Sequence, residues 1–99
     1  MKVVVLPAAR ADLEKIGDNI ALDSPRRAIT FIAELRQRCE GLRDLPERFP
    51  LIPRYEARGI RRMAHGDYLI FYTVRDEAVF IIHVLHGKMD YESLLFSAS

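Results

Sequence analysis

The spacing of apolar residues changes along this chain, and the change separates a helical half from a β-strand half. A short run of β-branched residues at 2–6 (KVVVL) predicts a buried strand at the start of the sequence. Beyond Pro7, apolar residues recur at helical spacing and predict an amphipathic helix that ends near Asp23. The apolar stripe of this helix consists of Ala9, Leu13, Ile16 and Ile20.

A second amphipathic helix follows almost at once. Ser24 is a favourable N-cap and Pro25 suits the first helical position, so this helix is expected to run to about Leu45. Glu34 and Arg38 lie four residues apart, and we expect them to form an ion pair on its outer face. Because the link between the helices is so short, they should form an antiparallel hairpin. The apolar stripe of the second helix consists of Ala28, Phe31, Ile32, Leu35, Cys39 and Leu42.

The remainder of the chain has the period of β-strands. Residues 46–59 carry three prolines and no sustained periodicity, which predicts a loop held to the core by Phe49, Leu51 and Ile52. Three strand-like segments follow, joined by tight turns, at 60–64, 68–74 and 78–85. The sequence therefore predicts one α+β domain over residues 1–99. It has an N-terminal strand, an antiparallel helical hairpin, and a three-stranded antiparallel meander forming one sheet packed on the helices.

The last two strands are apolar at nearly every position, so both faces of the sheet require cover. The helical hairpin covers one face. Since no third long helix remains, we expect the other face to be left for a partner protein. The tail is expected to form a short docked helix, with Asp90 either capping it or pairing with Arg61 or Arg62. The residues expected to dock are Leu94, Leu95 and Phe96.

Composition narrows the function classes. Cys39 is the only cysteine, which excludes an internal disulfide and a thiolate metal cluster. No apolar run is long enough to cross a membrane and the N-terminus lacks signal-peptide character, so we expect a cytoplasmic protein. A net charge of +1 is too small to favour strong nonspecific binding of nucleic acid. Six arginines lie between positions 43 and 62, however, which favours a surface for an acidic partner.

Three segments in this order resemble the RelE/ParE superfamily of toxin–antitoxin toxins, and its ParE branch in particular. They are LPAARADLEKIGDNIA (6–21), GIRRMAHGDYLIFYTV (59–74) and IIHVLHGKMD (81–90). The resemblance implies a RelE/ParE-like fold and a toxin that inhibits DNA gyrase through its A subunit. It also implies neutralisation by a ParD-like antitoxin, with operator DNA contacted only indirectly through that antitoxin.

Relatives in the RelE branch cut messenger RNA, and the resemblance also indicates where their catalytic groups would fall. The arginine of the middle meander strand corresponds to Leu69, the arginine after the last strand to Met89, and the tail tyrosine to Leu95. None of these side chains can hold a phosphate or transfer a proton. We therefore expect a binding inhibitor rather than an enzyme, with no catalytic residues.

Two alternatives stay open. One is a ribosome-dependent mRNA endonuclease that uses a nonstandard set such as His86, Lys88 and Tyr91. The other is a family member without toxicity that only forms the antitoxin complex. Because His83 and His86 lie three apart on an extended segment, they should point to opposite faces, which argues against a shared metal ion; no cofactor is expected. The candidate partner-binding residues are Arg61, Arg62, Tyr68, His86, Lys88 and Met89.

Overall fold

The computed structural model describes residues 1–96 and arranges them as one mixed sheet with a helical hairpin on one face. Strand order is β1-β4-β3-β2, in which β1 runs parallel to β4 and the other pairs are antiparallel. This architecture confirms the predicted α+β class. The elements are β1 (Lys2–Val5), α1 (Pro7–Ala21), α2 (Pro25–Glu40), β2 (Ile60–His65), β3 (Tyr68–Arg75), β4 (Ala78–His86) and α3 (Tyr91–Phe96).

The starts of the two long helices follow from their sequences, whereas the end of α2 differs from the prediction. Pro7 and Pro25 occupy the first turns, and the Ser24 side chain accepts a hydrogen bond from the Arg27 amide at 3.1 Å. The α-helix ends at Glu40 and continues as one 3₁₀ turn. Leu45 has a φ of 52°, a left-handed conformation that no helix can contain, so the predicted end near Leu45 is wrong.

The main core lies between the hairpin and the sheet. Gly17 of α1 allows close contact with α2, because a Cβ there would lie 3.4 Å from Ile32 Cγ1. Cys39 is buried in this core, as predicted from its place on the helical stripe. The thirteen buried residues of this helix-face core are Ala9, Leu13, Ile16, Phe31, Leu35, Cys39, Leu42, Met63, Ile70, Tyr72, Val79, Ile81 and Val84.

The second face of the sheet is not left bare, so that expectation is wrong. The Ile52 amide donates to Ile60 O and the Arg62 amide donates to Pro50 O, which fastens the loop before β2 to its outer edge. Helix α3 returns over the same face. Together they enclose a second-face cluster whose buried members are Ile52, Phe71, Leu85 and Phe96, with Tyr55, Ile60, Leu69, Tyr91 and Leu95 partly buried around them.

Local details of the tail and of α2 also depart from the sequence expectations. Asp90 caps α3 by accepting from the Ser93 amide at 3.4 Å and the Ser93 hydroxyl at 2.6 Å, which selects one of the two roles predicted for it. Leu95 and Phe96 dock as predicted, but the Leu94 side chain is exposed.

The predicted Glu34–Arg38 ion pair does not form. Glu34 instead accepts from Arg27 at 2.7 Å and lies 3.1 Å from His65 Nε2. Arg38 turns toward the sheet edge and donates to the Ala64 carbonyl at 2.9 Å. Within residues 1–96, none of the helices combines the length and the apolarity that crossing a bilayer requires.

Candidate partner-binding groove

An open groove lies between α1 and the second half of β4. Strand β1 pairs only with residues Ala78 to Ile81 of β4, so the rest of β4 extends beyond the end of β1. Helix α1 faces this free half-edge, and the space between them forms a cavity of about 340 Å³. Helix α1 contributes Asp12, Lys15, Ile16 and Asn19 to its wall, and the sheet side contributes Tyr68, Val84, Leu85, His86 and Met89.

One acidic side chain closes the free edge of β4. Asp12 Oδ2 accepts the Val84 amide at 2.9 Å and lies 2.7 Å from His83 Nδ1. The register with β3 shifts between Phe71 and Tyr72, opposite His83 and Ile81, which leaves Ile82 as an additional residue. Since an unpaired strand edge invites association with another strand, this carboxylate protects the edge at Val84. The Asp12 carboxylate therefore has a structural role.

Aromatic and imidazole rings form the sheet side of the groove. Tyr68 and His86 are direct cross-strand neighbours, with ring centroids 5.3 Å apart in an edge-to-face arrangement. The Tyr68 ring also contacts Phe31 of α2 at 5.6 Å, which anchors it to the main core. His86 Nδ1 accepts the Lys88 amide at 3.1 Å, so the turn after β4 fixes the orientation of the imidazole. Both rings are only partly buried and present a preformed surface to the groove.

The groove combines an apolar floor with a basic margin. Val84 and Ile16 are buried in its floor, and Met89 is 44% exposed at its edge. Leu85 also lines the groove, but its side chain packs in the second-face cluster. Lys15 lines the groove on the α1 side, and Lys88 is exposed beside Met89. Asp12 in the same wall is hydrogen-bonded within the fold, and Lys15 and Lys88 supply the positive charge offered to an incoming ligand. An amphipathic segment with acidic residues fits this surface.

The structure brings together only part of the predicted site. Tyr68, His86 and Met89 line the groove and Lys88 adjoins it. Arg61 and Arg62 point to opposite faces, as their adjacent positions on a strand predict, and neither lines the groove. Both guanidinium groups donate hydrogen bonds within the chain instead.

The Arg61 guanidinium donates to the carbonyl of Glu47 at 3.0 Å and to that of Phe49 at 2.7 Å, which holds the loop before β2. The Arg62 guanidinium donates to the Tyr91 hydroxyl at 2.5 Å on the second face. These two arginines therefore position segments of the chain.

The α1 side of the groove was not predicted from the sequence. Asp12, Lys15, Ile16 and Asn19 recur at spacings of three, one and three residues, which places them on one helical face. That spacing was the available signal. Recognising it required the parallel pairing of β1 with β4, because this pairing determines which strand α1 faces.

Cys39 and Tyr72 are two buried groups whose surroundings favour their neutral forms. Burial raises the pKa of the Cys39 thiol to about 11, so the reactive thiolate is scarce near neutral pH. Burial also raises the pKa of Tyr72, whose hydroxyl donates to the Pro46 carbonyl at 2.6 Å. Across residues 1–96, no three His, Cys, Asp or Glu side chains come together as a group that could hold a metal ion.

Of the three positions to which the family resemblance assigned catalytic groups of RNA-cutting relatives, two lie in apolar surroundings. Leu69 and Leu95 are partly buried in the second-face cluster, and Leu69 is the cross-strand neighbour of Leu85. Met89 lies at the edge of the groove. An apolar cluster thus fills the second face beneath α3.

Comparisons with known proteins agree with this architecture. The structure is similar to that of a chromosomal ParDE toxin–antitoxin system from P. aeruginosa, with a TM-score of 0.71, 17% identity, and coverage of 87% of this chain and 95% of the other. It is also similar to the toxin–antitoxin complex RelBE2 from Mycobacterium tuberculosis, with a TM-score of 0.63, 27% identity, and coverage of 86% and 95%. A search of curated protein sequences finds no significant match. The family model described as the ParE toxin of the type II toxin–antitoxin system parDE matches residues 3–91. The chain therefore belongs to the ParE toxin family of type II toxin–antitoxin systems.

Proposed function

We propose that this chain inhibits DNA gyrase by binding its A subunit and is neutralised by a ParD-like antitoxin. Membership of the ParE family supports a toxin, but the RelE/ParE scaffold also accommodates nucleases, so fold alone does not decide the activity. The observation that carries the proposal is the apolar second face, because it occupies the place where an RNA-cutting relative needs charged groups.

Cleavage of RNA requires a base, an acid and positive charge around one phosphate. Leu69 and Leu95 supply none of these, and their partly buried side chains pack with the buried Phe71 and Phe96. Two cations on this face are engaged within the chain: Arg62 donates to the Tyr91 hydroxyl, and Arg58 lies over the Phe96 ring at 5.1 Å. A mechanism based on binding agrees with these surroundings.

The alternative catalytic set does not converge. Tyr91 packs against Phe71 on the second face, with ring centroids 5.0 Å apart. His86 packs against Tyr68, which belongs to the helix-face core. A phosphate held near one group would therefore be separated from the other by the sheet. This arrangement argues against an endonuclease built from His86, Lys88 and Tyr91.

The groove between α1 and β4 is the proposed contact surface for the antitoxin. Its floor of Ile16 and Val84, with Met89 at the edge, would contact apolar side chains of an amphipathic segment, and Lys15 and Lys88 would pair with acidic residues. The two similar structures come from a ParDE system and a RelBE2 complex, which supports a protein partner of this kind. Tyr68, His86, Lys88 and Met89 are retained as contact residues, whereas Arg61 and Arg62 act through the segments that they hold.

Induction of the chain in growing bacteria tests the toxic activity. A gyrase inhibitor should relax a reporter plasmid, seen on a chloroquine gel, while primer extension shows intact transcripts. His86→Ala and Lys88→Ala variants are compared in parallel. Site-specific transcript cleavage that these variants abolish would instead establish the endonuclease. Normal growth with an unchanged plasmid would indicate a member without toxicity.

Co-expression with the antitoxin encoded beside the toxin tests the groove. Met89→Glu places a negative charge at the edge of the groove, next to Lys88 in the sequence, and it should weaken antitoxin binding by about tenfold, measured as Kd. Arg75→Ala, at the exposed turn between β3 and β4, is the control and should leave Kd unchanged. Equal affinity of both variants for the antitoxin would exclude the groove as the contact surface.

A further inference from the structure

A second cavity lies at the C-terminal end of α2, distinct from the groove between α1 and β4. It measures about 190 Å³ and opens between α2 and the loop that precedes β2. Its apolar surface comes from Leu42, Met63 and Phe49, of which the first two are almost completely buried. Two arginines, Arg38 and Arg48, complete its wall. We refer to it as the Arg38–Arg48 pocket.

Both guanidinium groups of this pocket approach the same aromatic ring. The Cζ atom of Arg48 lies 5.0 Å from the Phe49 ring centroid, and that of Arg38 lies 5.9 Å from it. Attraction to the ring offsets part of the repulsion between the two charges. Within residues 1–96, the Arg48 side chain forms no hydrogen bond or ion pair. Its charge is therefore available to a ligand.

The hydrogen-bonding capacity of Arg38 is also incompletely used. Its Nη2 donates to the Ala64 carbonyl at 2.9 Å, which holds the guanidinium beside β2. Its Nε is buried and donates to no acceptor within the described part of the chain. Because buried donors almost always have a partner, this group has the capacity to donate to an acceptor that enters the cavity. This observation is independent of the charge of Arg48.

The surroundings favour an acceptor that carries a single negative charge. Asp44 also lines the pocket, and the C-terminal end of α2 contributes further partial negative charge there. Both negative contributions weaken the attraction of the pocket for a multiply charged phosphate backbone. The net charge of the chain is also only +1. The apolar surface provided by Leu42, Met63 and Phe49 matches the methylene groups of a glutamate side chain.

We infer that the Arg38–Arg48 pocket binds a carboxylate side chain from an acidic segment of a partner protein. The carboxylate lies between the two guanidinium groups and accepts charge-assisted hydrogen bonds from them. The methylene groups of the same side chain lie against Phe49. The inference stands apart from the gyrase proposal, since it concerns how a protein segment is held and not which enzyme is inhibited.

Titration of the full ¹⁵N-labelled chain tests this site. The probe is a short capped peptide of alternating leucine and glutamate, and its control has glutamine in place of each glutamate. The Nε–Hε resonances of Arg38 and Arg48 should shift saturably with the glutamate peptide. Binding of the glutamine peptide should be weaker by about tenfold, because the charge-assisted hydrogen bonds are lost.

Arg48→Ala and Arg75→Ala provide the matched comparison. Both arginines are exposed, so the folded state tolerates their removal. Arg48→Ala should weaken binding of the glutamate peptide by about tenfold, whereas Arg75→Ala should leave Kd unchanged. Equal losses of affinity in both variants would show that binding depends only on the overall charge of the chain, and would overturn the site. Unshifted Arg38 and Arg48 resonances would also overturn it, as would tighter binding of single-stranded oligonucleotide at the same resonances.

Discussion

The two faces of the sheet are covered in different ways. On one face, α1 and α2 bury a core of thirteen residues under two long amphipathic helices. On the other face, a loop and the six-residue helix α3 enclose four buried residues. The first face determines the fold. The second face is a smaller apolar cluster, covered by a short helix and a loop.

This difference predicts that the two faces differ in local stability. Residues of the helix-face core are held by several elements at once, so a change at one of them affects the whole domain. Contacts on the second face are made mainly by side chains of α3 and the preceding loop. Tyr55 stacks on Phe96 with centroids 4.0 Å apart, and Arg58 lies over the same ring at 5.1 Å. Local opening of this face should therefore cost less than global unfolding.

The largest effect is expected for Leu35→Ala in the helix-face core. Leu35 has no exposed surface, so its truncation leaves a cavity and should lower the free energy of unfolding by about 2–5 kcal/mol. Urea denaturation measures this change. Leu94→Ala, at an exposed leucine of α3, is the control and should alter stability by no more than about 0.5 kcal/mol. Similar losses for both variants would contradict the assigned core.

Phe96→Ala tests the second face and should cost less, about 1–3 kcal/mol. The substitution removes the stack on Tyr55 and the contact with Arg58, so α3 loses its principal anchor. Hydrogen exchange should show reduced amide protection in α3 with protection of α2 retained. Loss of protection in α2 to the same extent would mean that the two faces unfold as one unit.

Tyr91→Phe removes a single hydrogen bond from the second face. The Arg62 guanidinium would lose its acceptor while the aromatic packing on Phe71 remains, so we expect a loss of about 0.5–1.5 kcal/mol. Thermal denaturation measures the change. Tyr55→Phe is a matched control, because no hydrogen bond of the Tyr55 hydroxyl is found within residues 1–96. An equal or larger effect for Tyr55→Phe would show that the hydrogen bond from Arg62 to Tyr91 does not stabilise the fold measurably.

The smallest effect concerns pH and the outer surface of α2. Hydrogen bonds from Arg27 and then His65 lower the pKa of Glu34 below its ordinary value of 4.5. A depressed carboxyl pKa adds stability that is present above the unfolded value and is lost as pH falls through the folded value. The wild-type chain should therefore lose more stability below pH 4.5 than Glu34→Gln does. An equal loss of stability in the two proteins as the pH falls would contradict the assignment.

The sequence predicts one face of this molecule much better than the other, for physical reasons. Leu13, Leu35 and their neighbours repeat with the helical period, so the stripe that they form is visible without knowledge of the fold. Ile52 and Phe96 cover the second face from segments without sustained periodicity, and nothing local indicates that those segments meet.

The groove could likewise be predicted only in part from the sequence. Tyr68, His86 and Met89 were suggested by their chemistry at strand ends, but Lys15 joins them only because β1 pairs in parallel with β4. Arg38 shows a similar limit. Its position predicts a pair with Glu34, whereas contact with Ala64, distant in sequence, determines its orientation.

A supercoiling assay with purified gyrase tests the central proposal most directly. Increasing amounts of the chain should abolish supercoiling when the chain and the A subunit are present in about equal molar amounts. Addition of the antitoxin should restore supercoiling. Under the same conditions, messenger RNA in a translating extract should stay intact. Unimpaired supercoiling together with cleaved transcripts would contradict the proposed function.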